Sequence, residues 1–355
     1  MELHITPGNP GTPGSPGNPP ASGKACCTPA AQRARETAAS AGETPGAAAS
    51  VPLAERIDFA DRGSTADMVR IPAGAFLMGT DAVDEMWVED GEGPVREVTL
   101  DSFYIDRYAV TNDAFAAFVQ ATGYVTDAER FGWSFVFHAL LPKKYAQQLR
   151  QTHAVAGLPW WLATPGANWQ RPEGDRSDIK DRGGHPVVHV SWNDATAYAR
   201  WAGKRLATEA EWESAARGGL VQKLYPWGDP LTPRGRHRCN IWQGKFPDEN
   251  TCEDGYLGTC PVDAFEPNGH GLHNVAGNVW EWTGDWFDPA WHVEPSDATR
   301  HNPRGPATGA RKLQKGGSFL CHHSYCNRYR VAARTGNTPD STTSNNGFRC
   351  VRDGA

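Results

Sequence analysis

The sequence has no uninterrupted apolar run of the roughly 18 residues that a membrane-spanning helix needs, so nothing in it reads as crossing a bilayer. Charge of one sign is missing too. The 35 basic and 41 acidic residues are mixed along the chain for a net charge of −6, with no lysine/arginine block, which argues against nucleic acid as the default partner. The opening MELHITPGNPG lacks the basic start and apolar stretch of a secretory signal, and a cytoplasmic protein is the expectation. Eight cysteines in 355 residues do not describe a disulfide scaffold, and a reducing compartment would keep most of them as thiols.

Turn formers and tryptophan are abundant instead. The 38 glycines and 27 prolines predict turns and irregular loops in place of long regular elements. Fourteen tryptophans, bulky and partly polar, suit cores with hydrogen-bond partners and the walls of binding sites. Residues 1–60, rich in Pro, Gly and Ala, read as a disordered tail that has too little apolar surface to offset its ordering entropy. Cys26 and Cys27 lie in it and read as incidental, with metal binding or a mixed disulfide as the alternative. Residues 61–355 read as a single domain.

Along the domain, MVRIPAGAFLMG predicts strand, turn and strand, and VTLDSFYIDRYAV predicts further strands. Thr111 is placed to cap a helix bearing Phe115, Phe118 and Val119 and ending at Gly123. Residues 124–184 show no clear period; Trp133, Trp160, Trp161 and Trp169 are placed there as groove wall or core, and Lys143 and Lys144 as solvated face. Pro186–Val190 predicts a short strand flanked by the structural histidines His185 and His189. The spacings Ser191/Asp194 and Thr208/Glu211 predict capping boxes for two helices, ending at Gly203 and near Arg217. From Tyr225 onward the chain reads as loops. The whole reads as mixed α+β with two or three helices.

The densest chemistry lies in residues 316–350, GGSFLCHHSYCNRYRVAARTGNTPDSTTSNNGFRC. Cys321 and Cys326, with four residues between them, fit a structural disulfide, part of a zinc site with His322 or His323, a redox dithiol, or a soft monovalent metal such as Cu(I). Spacing alone does not choose among these. Asn240, Asp254, Asn274 and Glu281 offer hard oxygen ligands in loops, of the kind that suits Ca2+, although Asn and Asp in loops are more often turn formers.

Several stretches together resemble the formylglycine-generating enzyme family of sulfatase-modifying factors, in its bacterial aerobic form. They include IPAGAFLMG (71–79), HPVVHVSWNDATAYARWAGKRLATEAEWESAARGG (185–219), NIWQGKFPDENTCEDGY (240–256), GLHNVAGNVWEWTGDWF (271–287) and the cysteine segment from Lys315 to Cys350. The resemblance covers about 68–353. It implies an elaborated C-type-lectin-like fold and a copper-dependent oxidase. That enzyme converts the cysteine of a Cys-x-Pro-x-Arg motif in an unfolded or extended type I sulfatase to Cα-formylglycine, with O2 as co-substrate and an external thiol as reductant.

The resemblance makes Cys321 and Cys326 the Cu(I) ligands, Ser318 a hydrogen-bonding residue beside them and Trp280 an aromatic wall. It implies two structural Ca2+ sites. One uses Asn240 and Asp254 with the carbonyls of Ile241 and Tyr256, the other Asn274 and Glu281 with the carbonyls of Gly277 and Val279. His322 and His323 are not needed as bases, and Arg328, Tyr329 and Arg330 take core, surface or peptide-contact roles. The two extra disulfides of the animal form are not expected, because Ala199 and Ala216 stand opposite Cys350 and Val331. Cys239, Cys252 and Cys260 are read as free buried thiols. A monomer is expected. A non-catalytic peptide-binding module and a sulfoxide-synthase-like oxidase are the competing readings; the cysteine pair argues against the first, the lack of an iron-binding histidine set against the second.

Overall fold

The structure, a computed structural model, describes Pro29, residues 64–82 and residues 87–354. The tail reading and the Cys26–Cys27 pair therefore fall outside the described residues. No helix of the described residues is long and apolar enough to cross a membrane.

Alternation of apolar residues gives strands β1 (Met68–Ile71), β2 (Gly74–Met78), β3 (Arg96–Leu100) and β4 (Phe103–Asp106). Their Ile71, Val98, Leu100, Phe103 and Ile105 enter one core cluster. Helix α1 (Asn112–Thr122) begins where the Thr111 side chain accepts from Ala114 N and ends at Gly123 in the left-handed region. Cap oxygen and C-terminal glycine together meet backbone groups that a bare helix end leaves unpaired. Phe115 and Phe118 on its inner face are fully buried against Tyr198.

Residues 124–184, unreadable by period, form α2 (Asp127–Phe131), β5 (Trp133–Phe137), α3 (Lys143–Thr152), β6 (Ala154–Val155) and β7 (Leu158–Pro165). The three strands pair antiparallel in the order β5-β7-β6. Trp161 and Trp169 are core, and Trp133 and Trp160 are half-buried and pack against the core cluster that contains Trp161. Lys143 and Lys144 are exposed, as expected.

Pro186–Val190 is not a strand. Only Pro186 makes a bridge, to Thr111, and His189 at φ 60° breaks the pleat. His189 is wholly buried with Nδ1 2.7 Å from Ser134 Oγ, and His185 Nδ1 lies 3.0 Å from Thr259 Oγ1. Burial pushes the His189 imidazole from 6.5 down to about 3. The unfolded chain takes up a proton near 6.5 and the folded chain only near 3, so stability is lost as pH falls through that window. A His189→Gln variant is expected to flatten the acid slope by up to about 1.4 kcal/mol per pH unit in denaturant unfolding. An unchanged slope would mean that another group carries it.

Helices α4 (Trp192–Trp201) and α5 (Glu209–Arg217) both start with the expected capping boxes, and the two-residue strand β8 (Arg205–Leu206) lies between them. The remaining elements are β9 (Gly244–Lys245), β10 (Glu249–Asn250), β11 (Trp280–Trp286), α6 (Asp297–Arg300), β12 (Lys312–Lys315), β13 (Arg334–Asn337), β14 (Asn346–Gly347) and β15 (Cys350–Asp353). Six α-helices among the described residues exceed the two or three expected; the short ones carry too few turns to show a period.

Two four-stranded sheets frame the molecule. In the order β1-β4-β15-β8 the last strand pairs with early ones, and the other sheet runs β13-β12-β11-β14. β12 and β13 are antiparallel neighbours, with Lys315 opposite Arg334. Everything between them, including both central cysteines, is one long connection that leaves and rejoins the sheet at the same point.

Among the described residues the other cysteines are free thiols. Cys239, Cys260 and Cys350 are buried, and burial raises all three, Cys260 to about 12. Cys252 is half-buried rather than buried as expected, because it lies in a turn at φ 52°. Cys252→Ser is expected to change unfolding stability by no more than about 0.5 kcal/mol; a loss several times larger would reveal a structural role for this thiol. Ala199 and Cys350 share one core cluster, and Ala216 and Val331 another.

Candidate active site

The β12–β13 connection begins with Gly316 and Gly317 at φ 92° and 70°. A Cβ on Gly317 would stand 2.9 Å from the Arg328 carbonyl, so glycine lets the outgoing and returning arms lie against each other. Ser318 follows, fully buried. Its Oγ accepts from Asn345 Nδ2 at 2.9 Å and from Leu320 N at 3.3 Å, and its own N–H donates to Cys321 Sγ at 3.4 Å. The Cys321 carbonyl accepts from Trp242 N at 3.0 Å.

The chain then turns tightly. The N–H groups of Tyr325, Cys326 and Asn327 all donate to the His322 carbonyl. His322 is half-buried, and His323 and Ser324 are exposed at the tip. Burial, with the nearby His323, lowers the His322 imidazole to about 4.

Cys321 and Cys326 are both wholly shielded from solvent and lie in one cluster with Trp280, Ile241, Ala276 and Tyr329. Trp280 Nε1 is buried there with no hydrogen-bond partner among the described residues. Half-buried Tyr325 stacks on Phe246 at 4.4 Å and meets the edge of Trp160 at 5.2 Å, which makes an aromatic face adjoining Cys326. The structure thus brings together the four expected catalytic residues, which the sequence separates by up to 46 positions, from Trp280 to Cys326. A cleft of about 770 Å³ lies elsewhere. It is rimmed by residues such as Glu173, Asp178 and Arg182 and touches the cysteine connection only at Phe319.

Oxygen ligands cluster beside this centre. Asn240 Oδ1 is buried with no hydrogen-bond partner among the described residues. Asp254 lies close by, its carboxylate accepting from Ile241 N at 3.0 Å and Tyr256 N at 3.0 Å, and burial raises it above the usual carboxylate range. The Gln243 amide nitrogen donates to both the Ile241 carbonyl and Asp254 Oδ2. An orphaned amide oxygen, a carboxylate and a converging carbonyl are a donor set that fits a hard cation.

The second set fits less well. Asn274 Oδ1 is also buried without a partner, and Gly277 and Val279 follow it in the same buried loop. Glu281, however, already receives Arg349 on both oxygens at 2.7 Å and Trp212 Nε1 at 2.6 Å.

Residues missed from the sequence are Trp87, Asp90 and Glu92. They come from the acidic stretch after β2 and reach the cysteine connection through Cys326, Arg328 and Arg330. Two acids two apart and two arginines two apart were the available signal.

The family described as "Sulfatase-modifying factor enzyme 1-like domain" matches residues 54–354. The chain is 66% identical over 287 residues to a formylglycine-generating enzyme of Thermomonospora curvata, covering 81% of this chain and 93% of that one. It is 62% identical over 290 residues to the enzyme of that name from Streptomyces coelicolor, covering 82% and 90%. Among solved structures, PvdO from Pseudomonas aeruginosa superposes with a TM-score of 0.57 at 25% identity, covering 81% of this chain and 94% of that one, which supports the expected fold. The chain belongs to the family of formylglycine-generating enzymes, the sulfatase-modifying factors.

Proposed function

We propose that this protein activates sulfatases by oxidising the cysteine of a Cys-x-Pro-x-Arg segment to Cα-formylglycine. The observation that carries the reading is the pair Cys321 and Cys326, fully buried in one apolar cluster beside Ser318 and Trp280, in a chain 66% identical to a formylglycine-generating enzyme. In net terms the substrate cysteine thiol, one O2 and two molecules of an external thiol give the aldehyde, hydrogen sulfide, one disulfide and water.

The soft donor set fits Cu(I), and Cys321 and Cys326 would hold it. Bound there, Cu(I) would supply thiolate-binding redox chemistry toward O2. The protein's own part is positional. Ser318 N–H fixes the Cys321 sulfur, and its hydroxyl, oriented by Asn345, is placed to hold water or an oxygen species. Trp280 closes the apolar wall and excludes bulk solvent. The face made by Trp160, Phe246 and Tyr325 suits the proline of an extended peptide next to the reacting cysteine.

Calcium is read as structural, held by Asn240 and Asp254 with the carbonyls of Ile241 and Tyr256; in the second expected set, Asn274 and Glu281 with the carbonyls of Gly277 and Val279, the Glu281 carboxylate is already taken by Arg349 and Trp212. An ion that binds only the folded state adds about 2.7 kcal/mol at a concentration roughly 100 times its Kd. Added Ca2+ is therefore expected to raise the melting temperature, a chelator to lower it, and Asn240→Ala to remove most of the response. A melting curve indifferent to Ca2+ would contradict the site.

The test of function is incubation in air, with a thiol and Cu(I), of peptides bearing Cys-x-Pro-x-Arg and of copies with the proline or arginine replaced by alanine. Aldehyde trapped by a hydrazide from the intact motif, and much less from the copies, is the expected result. No aldehyde from a folded, copper-loaded protein would overturn the reading.

A further inference from the structure

We propose that Trp87, Asp90 and Glu92 form a strap whose task is to set the position of Cys326. The proposal rests on Cys321 and Cys326 acting as a pair. The backbone makes the need clear. Asn327, directly after Cys326, sits at φ 46°, a left-handed conformation that a non-glycine residue keeps only when its surroundings hold it. Before Cys326 stands a turn whose tip, His323 and Ser324, is exposed to solvent.

The strap ties both sides of that left-handed residue. Trp87 Nε1 donates to the Cys326 carbonyl at 2.5 Å. Arg330 Nε donates to the Asn327 carbonyl at 2.8 Å, while its two terminal nitrogens fork onto Glu92 at 2.5 and 2.7 Å. Arg328 Nε reaches Asp90 at 2.5 Å, and its guanidinium lies 5.2 Å from the Trp87 ring. Glu92 and Arg330 are each 1% exposed, so this pair is desolvated and geometrically fixed, unlike a surface bridge.

The strap is itself anchored away from the cysteines. Trp87 N donates to Glu92 Oε1 at 3.3 Å and Thr80 N to the Glu92 carbonyl at 3.1 Å. Gly91, at φ 65°, passes so close to Pro289 that a Cβ would stand 2.1 Å from its carbonyl oxygen. Cys321, by contrast, is held by Ser318 N and Trp242 N, outside the strap. The two cysteines thus have separate supports. A two-sulfur metal site needs both sulfurs fixed, and the strap fixes the one on the turn. Trp87, Asp90 and Glu92 are positioning residues that act through the backbone and the two arginines.

The difference in supports gives an internal control. Trp87→Phe removes the indole donor and little else; Asp90→Asn removes the charge facing Arg328 and serves if the first variant folds poorly. Copper-free protein is labelled with a small alkylating reagent, and each cysteine is followed separately by peptide mass. The expected result is labelling of Cys326 at least about fivefold faster than in the parent protein, with Cys321 unchanged, the rate gain that loss of one buried hydrogen bond would give. In the peptide reaction kcat falls by a similar factor, while KM for the peptide stays the same. Glu89→Gln, on the exposed side of the same turn, behaves as the parent. Equal acceleration of both cysteines, or of neither, overturns the strap. The labelling result needs no turnover, so a protein inactive on the peptide would sink the proposed function and leave the strap standing or falling on its own data.

Discussion

Replacing Cys326 by serine is expected to abolish aldehyde formation and to leave the protein folded. The oxygen is smaller and harder than the sulfur, so the fully buried site keeps its packing to within about 1 kcal/mol but loses the soft donor that would hold Cu(I) in the proposed reading. Loss of a metal's outer hydrogen-bond partners typically costs about 10- to 100-fold; loss of one of two sulfur ligands exceeds that. Circular dichroism and a melting curve check the fold, and peptide turnover checks the chemistry. Turnover within about tenfold of the parent enzyme would remove Cys326 from the site.

Arg349→Ala is expected to lower stability by about 3 to 5 kcal/mol, the usual result of leaving a buried charge without its partner. Arg349 and Glu281 are each 1% exposed. The guanidinium gives two bonds to Glu281 and further ones to the carbonyls of Asp106, Arg107 and His273. One side chain thereby fastens the end of β4, the loop before β11 and β11 itself. Denaturant unfolding measures the loss. Replacing both partners with apolar residues, as in Arg349→Met with Glu281→Leu, recovers part of it, because no charge is then stranded. A loss below about 1 kcal/mol for Arg349→Ala would show that water reaches the pair.

How much of this was legible in the sequence depended on how local each signal was. The caps at Thr111, Ser191 and Thr208 were readable, because a hydroxyl at the helix start, reinforced at Ser191 and Thr208 by an acid three residues on, is a short-range signal. The strand expected at Pro186–Val190 was not formed, because its residues serve separate backbone contacts around a left-handed histidine. The sheet made by β5, β6 and β7 was hidden because its strands are buried on both faces in part, which erases alternation.

The candidate site divides in the same way. Cys321, Cys326 and Ser318 are close in sequence and stood out. Trp280 and Asn345 reach them through the pairing of β11 with β14, and Trp87, Asp90 and Glu92 through contacts across more than 230 positions. No period or spacing announces such partners; only complementary charge, Asp90 and Glu92 against Arg328 and Arg330, hinted at them. The aromatic face was half visible: Trp160 was marked as a wall candidate, but its partners Phe246 and Tyr325 come from two other loops.

The central claim is that two buried sulfurs hold one copper ion at which a substrate cysteine is oxidised. Titrating Cu(I) into the metal-free protein and measuring aldehyde formed from a Cys-x-Pro-x-Arg peptide tests it most directly. The account predicts that activity rises linearly and saturates at one copper per chain, and that Cys321→Ser and Cys326→Ser give none at any copper level. Full activity without copper, or saturation unaffected by loss of either cysteine, would contradict it.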